Sequence, residues 1–435
     1  MSEYFPSSEF EQTGQEMHAL MASLYPICRS ITGDGFRASL RILQQHIPLE
    51  IHEVPTGTQV FDWNVPNEWN IRDAYICDPH GNKVVDFKQS SLHILQYSQP
   101  MHCRMPLAEL KKHLFSIPEQ PDWIPYRTSY YKENWGFCLP HRVLETLPEG
   151  EYEVCIDASL EPGSLTYGEY MLQGESEDEV LISCHSCHPS LCNDNLSGMA
   201  LAIFLAKWVS QVKRHYTYRF LFIPGTIGSI TWLALHQQEA QRIRHGLVVA
   251  CVGDSGNLVY KKSRQGNAEI DQAVLQVLKD SGVEYRILDF IPYGYDERQY
   301  CSPGFNLPVG SLTRTPHGEF PEYHTSGDNL DFVRPHALVD SLSKYKQVLE
   351  LLEANQVYVN TNPFCEPQLG KRGLYSLIGG RKGTEQIEMA VLWVLNYSDN
   401  EHSLLDIARI SAMPFSTIRE AAHALLEKGL LVRRK

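Results

Sequence analysis

Between Val180 and Gly198 the chain reads VLISCHSCHPSLCNDNLSG, placing two histidines, three cysteines and one Asp in a single short span. Three chemistries fit those residue types. Cys184-x-x-Cys187, with His188 and Cys192, has the makings of a thiol zinc or redox site. Structural zinc, however, usually recruits a second, distant thiol pair, and the other cysteines are not closely paired. A redox Cys-x-x-Cys belongs at a helix start, whereas this pair follows an apolar run that reads as a strand. The second chemistry uses His185, with His188 beside it, and Asp194: imidazole nitrogen and carboxylate oxygen, both good ligands for a divalent cation. The third reading is a set of small buried thiols beside loop histidines.

Two later stretches end in the same ligand types. LVVACVGD closes on Asp254, and FPEYHTSGDNLDFV carries His324, with Glu322 two residues before it and Asp328 four after. A lone Asp at a strand end also suits a turn. In an extended segment Glu322 and His324 face the same side, which makes Glu322 the candidate general base, with Glu319 as a second choice. In YDERQYCSPG, Arg298 can fork onto a carboxylate or phosphate, and Asp296 or Glu297 can hold an amine. With Tyr323 these form the candidate substrate-binding set. His317 is a weaker candidate.

These residues need elements to bring them together. Met17, Leu20, Met21 and Leu24, then Phe36, Leu40, Leu43 and Ile47, recur at helical spacing on either side of SITGDG. From 48 to 135 short alternating runs and turn residues predict an inserted β-rich domain, with a hairpin at DPHGN. Its Phe61, Trp63, Trp69 and Tyr75 suit either buried sheet core or an aromatic cleft, and its place in the chain suggests a lid. From 136 strands alternate with apolar-periodic helices (EVLISCH, SGMALAIFLAKWV, YTYRFLFIP, GLVVACVGD), the pattern of parallel β/α units. In such sheets ligands sit beyond the carboxyl ends of strands, where His185, Asp194 and Asp254 fall. A helix over 337–357 and a linker lead to three short helices and a terminal LLVRRK, a winged-helix pattern over 375–435.

Taken in order, the motifs resemble the zinc-dependent aminopeptidase family, whose fold also hosts glutaminyl cyclases. The resemblance rests on His185, Asp194-Asn-Leu-Ser-Gly198, Asp254 and Tyr323-His324-Thr325-Ser326-Gly327-Asp328. More narrowly, SITGDG, FDWNVPNEW, PGTIGSI, YDERQYCSPG and PEYHTS are similar to a bacterial subgroup. That subgroup joins the catalytic domain to an inserted β domain and a winged helix, and it often accompanies polysaccharide-biosynthesis genes. The resemblance implies an α/β fold: a mixed sheet flanked by helices over 1–47 plus 136–358, an inserted β-rich domain over 48–135, and a winged-helix domain over 375–435. It implies one or two Zn²⁺ on His185 or His188, Asp194, Asp254 and His324, with Asp194 bridging if there are two. The substrate is then a small amide or an N-terminal peptide bond. One departure stands out. The family's Glu pair maps near Gly225 and Thr226, where this chain has no acid. The rival reading follows from that gap: a metal- or ligand-binding regulator whose winged helix carries the output.

The 435 residues carry a formal charge of −14, which argues against broad nucleic-acid binding. From Lys371 onward ten Lys/Arg face seven Asp/Glu, a thin basis for reading DNA. Protein docking or dimerisation into a homo-oligomer is the preferred use of that module. No apolar run reaches membrane-spanning length and the N-terminus has no signal-peptide pattern. Eleven cysteines, an odd count, suit a reducing cytoplasm.

Overall fold

The computed structural model describes residues 7–374 and 385–434. Its chain divides into two compact units, residues 2–266 with 285–343, and residues 267–284 with 344–435.

The larger unit is built on an eight-stranded mixed sheet. Its helices α1 (Ser7–Leu24) and α2 (Asp34–Gln44) precede β1 (Glu50–Pro55). The apolar positions expected on one face of each, Met17, Leu20, Met21 and Leu24, then Phe36, Leu40, Leu43 and Ile47, are all buried. The next strands, β2 (Glu68–Cys77), β3 (Lys83–Asp86), β4 (Met101–Pro106) and β5 (Glu151–Glu161), form a separate antiparallel sheet in the order β3-β2-β5-β4. The hairpin at DPHGN joins β2 to β3, and Asp78 accepts the His80 and Asn82 amides in the turn. Strands β6 (Ser164–Leu172), β7 (Glu179–His185), β8 (Thr217–Ile223), β9 (Ile243–Val249), β10 (Leu258–Lys261), β11 (Tyr285–Leu288) and β12 (Val309–Thr313) complete the main sheet, ordered β1-β6-β8-β7-β9-β12-β10-β11. Its centre, β8-β7-β9-β12, is parallel. Every residue of β7 and β8 is buried, as expected of strands covered on both faces. Helices α3 (Ser197–Val209) and α4 (Ile227–Leu235) follow β7 and β8.

Two expected borders move. The strand Glu50–Pro55, expected in the insert, pairs antiparallel with β6 of the main sheet. The strand Glu151–Glu161, expected in the main domain, is the central strand of the insert's sheet. Each alternates acceptably on either side of the border, so only long-range pairing decides its membership.

The smaller unit contains α5 (Glu269–Ser281), the C-terminal part of α6 (Pro335–Ala354), β13 (Val357–Asn360), α7 (Glu385–Tyr397), β14 (Asp399–Ser403), α8 (Leu404–Ser411), α9 (Phe415–Glu427) and β15 (Leu431–Arg433). The helix expected over 337–357 ends at Ala354, and β13, just before the expected linker, is the middle strand of a small antiparallel sheet between β14 and β15. Residues 375–384, the start of the expected winged helix, lie outside the described residues. No described helix is long and apolar enough to cross a membrane.

Candidate metal centre

Strand β7 ends at His185, and the loop that follows returns Asp194 to its ring. His185 Nε2 lies 2.8 Å from Asp194 Oδ1. His324 Nε2 stands 3.1 Å from Asp194 Oδ2, and His188 Nε2 3.9 Å from the same oxygen. Three imidazoles from two distant segments thus surround one carboxylate that is fully buried. Candidate ligand atoms of His185, His188 and Asp194 all lie within 4.8 Å of one another.

The Asp-Asn-Leu-Ser-Gly stretch explains how Asp194 is held. Asn193 and Asp194 donate their amides to the two oxygens of Asp328, at 2.6 and 2.9 Å. The Asn195 side chain donates to the carbonyls of His185 (3.1 Å) and Val249 (2.8 Å), and accepts the Gly198 amide. Ser197 Oγ donates to the Asn193 carbonyl. At Gly198 a Cβ would lie 2.4 Å from Asn195 Oδ1 and 2.6 Å from the Val249 oxygen, so the helix can start this close only on glycine.

The electrostatics suit a cation. Burial alone would raise the Asp194 carboxyl, but His188, with hydrogen bonds from His185 and His324, holds it well below the usual carboxylate range. Burial would lower His185, yet the Asp194 hydrogen bond and charge outweigh it and raise it. Burial takes His188 down to about 3, with His185, His324 and Arg29 adding to the effect against the pull of Asp194. An ionised carboxylate with a neutral imidazole beside it is a donor set that zinc accepts. His185, His188 and Asp194 together therefore form a group that could hold a metal ion, with His324 beside the same carboxylate.

The other sequence candidates go elsewhere. Asp254 is buried outside this cluster. Its oxygens accept from Gly256 N (2.7 Å), Thr315 Oγ (2.7 Å) and Asn193 Nδ2 (2.9 Å), so it braces the Asp194 loop as a strand-end turn former. Glu322 does not alternate with His324 along a strand: the segment is a turn in which the Glu322 carbonyl takes the Thr325 amide and hydroxyl, and His324 has φ +55°. Glu319 pairs with Arg286 at the surface. Tyr323 stacks on the His324 ring, centroids 3.9 Å apart, and His317 packs edge-on against Tyr295. Arg298 Nε is buried without a hydrogen-bond partner. The thiol readings fade, since the cysteines form no disulfide and burial pushes Cys184, Cys187 and Cys192 upward, Cys187 to about 12. Thiols pushed upward by burial suit packing groups better than thiolate ligands.

Several supports had no readable signal. Arg29, fully buried in SITGDG's approach, donates through Nε and Nη2 to the His188 carbonyl at 3.1 and 2.9 Å. The Tyr295 ring stacks on His185, centroids 5.1 Å apart, and its hydroxyl meets Cys251 Sγ. The insert contributes a loop to the same place. Tyr126 donates its amide to the His324 carbonyl at 2.7 Å, and its ring stands 5.1 Å from His188 and 5.0 Å from His324. Trp69 is core, whereas Phe61 and Trp63 are exposed.

Comparison with known proteins agrees with this architecture. Residues 18–355 match a family model described as a domain of unknown function, DUF4910, and residues 356–433 match a winged helix-turn-helix model. The chain is 54% identical over 420 residues to a Clostridium acetobutylicum protein described as "Putative polysaccharide biosynthesis protein with aminopeptidase-like domain", covering 97% of this chain and 96% of the other. A crystal structure of a "putative peptidase" from C. acetobutylicum superposes with TM-score 0.93 at 52% identity, covering 98% of each chain. A zinc aminopeptidase from Bacillus subtilis superposes with TM-score 0.56 at 12% identity (77% of this chain, 94% of that one). An M28 peptidase precursor from Shewanella amazonensis gives 0.54 at 14% identity (79% and 95%). These last two show the fold: a mixed sheet flanked by helices, of the aminopeptidase-like type. The chain belongs to the DUF4910 family, an aminopeptidase-like fold that carries a winged helix at its C-terminal end.

Proposed function

We propose that the larger unit is a zinc-dependent hydrolase that cleaves a small amide or an N-terminal peptide bond. One zinc would be held by His185, His188, Asp194 and His324. The observation that carries this reading is the convergence of three imidazoles on the buried, ionised Asp194 carboxylate. The commitment of Asp254 to Thr315, Gly256 and Asn193 favours one cation over two. When bound, zinc supplies a Lewis acid and lowers the pKa of water to roughly 7. The protein's own contribution is positional. Asp328 and Asn195 fix the Asp194 loop, Arg29 fixes the His188 backbone, and Tyr323 and Tyr295 set two imidazole planes. The aromatic loop at Tyr126 shields one side of the cluster from water, which strengthens every charge interaction within it. The description of the C. acetobutylicum relative as a putative polysaccharide biosynthesis protein supports a substrate from that chemistry.

Zinc content and calorimetric titration test the site. Wild type is expected to bind one zinc per chain, and Asp194→Asn is expected to bind at least a hundredfold more weakly with its far-ultraviolet dichroism intact. A panel of aminoacyl and N-acyl amides tests the reaction. A protein that takes up no zinc ends the proposal.

The absence of an acid at Gly225 and Thr226 favours a second reading, a zinc- or ligand-binding regulator with the winged helix as its output. Zinc uptake with no turnover across the panel, plus a salt-dependent DNA shift, would select it.

A further inference from the structure

The turn after β8 lacks the acids of the resembled family, yet a carboxylate is delivered to it from another part of the chain. Asp296, in the loop between β11 and β12, accepts the Thr226 amide at 3.0 Å and the Ser229 hydroxyl at 2.8 Å, both through Oδ1. Thr226 itself has φ +52°, a strained conformation for a β-branched residue that persists only where neighbours enforce it. The turn also borders the candidate metal centre. A Cβ on Gly225 would lie 3.6 Å from His185 Cβ. The residue before Asp296, Tyr295, is the one stacked on the His185 ring. Asp296 is therefore tied to the Gly225–Thr226 turn on one side and to the neighbourhood of His185 on the other.

What Asp296 lacks is as telling. It is 1% exposed, and its Oδ2 is buried with no hydrogen-bond partner. No cation pairs with it among the described residues. Its neighbour Glu297 also has one oxygen, Oε2, buried without a partner, but its Oε1 takes Lys261 Nζ at 2.6 Å, and that ammonium also donates to the Tyr293 carbonyl. Glu297 thus anchors the loop through Lys261, while Asp296 has no such ion pair and holds the Thr226 turn through Oδ1, leaving Oδ2 free. A buried carboxylate in that condition lowers stability, and such groups persist mainly where function needs them.

We infer that Asp296 replaces the missing strand-end acid as the proton acceptor of the hydrolysis, acting through Oδ2. The inference rests on the hydrolase reading given above. In the step, one proton of water passes to Asp296 Oδ2 as the water oxygen bonds the amide carbon. The same proton then passes to the leaving nitrogen as the C–N bond breaks, giving a carboxylic acid and an amine and restoring the carboxylate.

Asp296→Asn keeps the shape and the Oδ1 contacts. Zinc stoichiometry by elemental analysis is expected to stay at the wild-type value, and the melting temperature to hold or rise, because a buried carboxylate oxygen without a hydrogen-bond partner is gone. On an amide that the wild type cleaves, kcat is expected to fall at least a hundredfold, within the range of about 10²–10⁴ for loss of a general base. Asp296→Ala, which opens space, is expected to regain at least tenfold of its activity with added formate. A variant retaining more than a third of wild-type kcat removes the assignment and leaves the hydrolase reading standing. Loss of turnover that tracks loss of zinc or of melting temperature, without formate rescue, makes Asp296 a structural brace and also removes it. A zinc-loaded wild type that cleaves none of the amides removes the hydrolase reading itself, and this assignment with it.

Discussion

At Gly198 the close approach of helix α3 to β9 leaves no room for a methyl group. The atoms it would strike are the Val249 backbone and the Asn195 amide, which is already engaged on both sides. Gly198→Ala is expected to lose about 1–3 kcal/mol, the usual range for overpacking, and to weaken zinc binding by moving Asp194. Urea unfolding and calorimetric titration check the two effects together. The Asp194 cluster was legible because its parts are local: a strand-ending His185 and an Asn-Leu-Ser-Gly helix start are close in sequence and each has a chemical reason. Asp254 and Glu322 were legible only as residue types. Whether a carboxylate at a strand end points at a cation or at a threonine hydroxyl depends on a side-chain direction that spacing does not encode. For Glu322 the error was one of conformation, since a left-handed His324 cancels the alternation on which the same-side argument stood. Asp296 was singled out for substrate contact, and its bond to the Thr226 turn could not be read across 70 residues of chain.

Pairs of elements are fastened by charges whose loss should be measurable. Within the main sheet, Arg219 of β8 lies between Glu179 of β7, at 2.6 and 2.8 Å, and Glu169 of β6, and all three are buried. Arg219→Met would strand two buried carboxylates and is expected to cost about 3–5 kcal/mol, measured by denaturant unfolding. A second tie joins α2, β2 and β1. Arg37 donates to Glu68 at 2.7 and 2.6 Å and to Glu53 at 2.9 Å. The Arg37 hydrogen bonds, opposed by burial and aided by the Ser164 amide, bring Glu68 down to about 2. A carboxyl depressed on folding stabilises above its ordinary value of about 4.5 and ceases to do so as pH falls through the folded value. The stability gap between wild type and Glu68→Gln should thus be full at pH 6 and close between about pH 4.5 and 2, as thermal melts across that range would show. The misplaced borders rest on backbone pairing instead. β1 and β5 have interchangeable strand patterns, and partners tens of residues away assign them to their sheets.

At the scale of the whole molecule, the winged-helix unit does not consist of the C-terminal segment alone. Helix α9 begins at Pro414 with no side-chain cap of its own. Its first amide, Phe415 N, is accepted by Asp280 of α5 at 2.9 Å, while Gln276 donates to the Met413 carbonyl at 3.2 Å. Asp280→Ala is expected to destabilise this unit by about 1 kcal/mol, the usual value of a lost cap, and a fragment beginning at residue 356 should melt below the full chain. The exposed face of α9 mixes Arg419 with Glu420 and Glu427, and His423 pairs with Glu427. That face is expected to give no salt-dependent shift with duplex DNA. Nothing in the local pattern of 267–284, an ordinary amphipathic helix after a strand, marks it as belonging with residues 90 positions further on.

Because α5 sits between two strands of the main sheet in sequence yet belongs with the terminal module, the polypeptide passes from one unit to the other at 266, 284 and 343. A single protease cut near 355 would therefore leave the terminal module without one of its own helices. The same holds over evolutionary time: this module cannot be exchanged as a cassette by joining genes at one seam, so inheritance of the larger unit should carry its companion along.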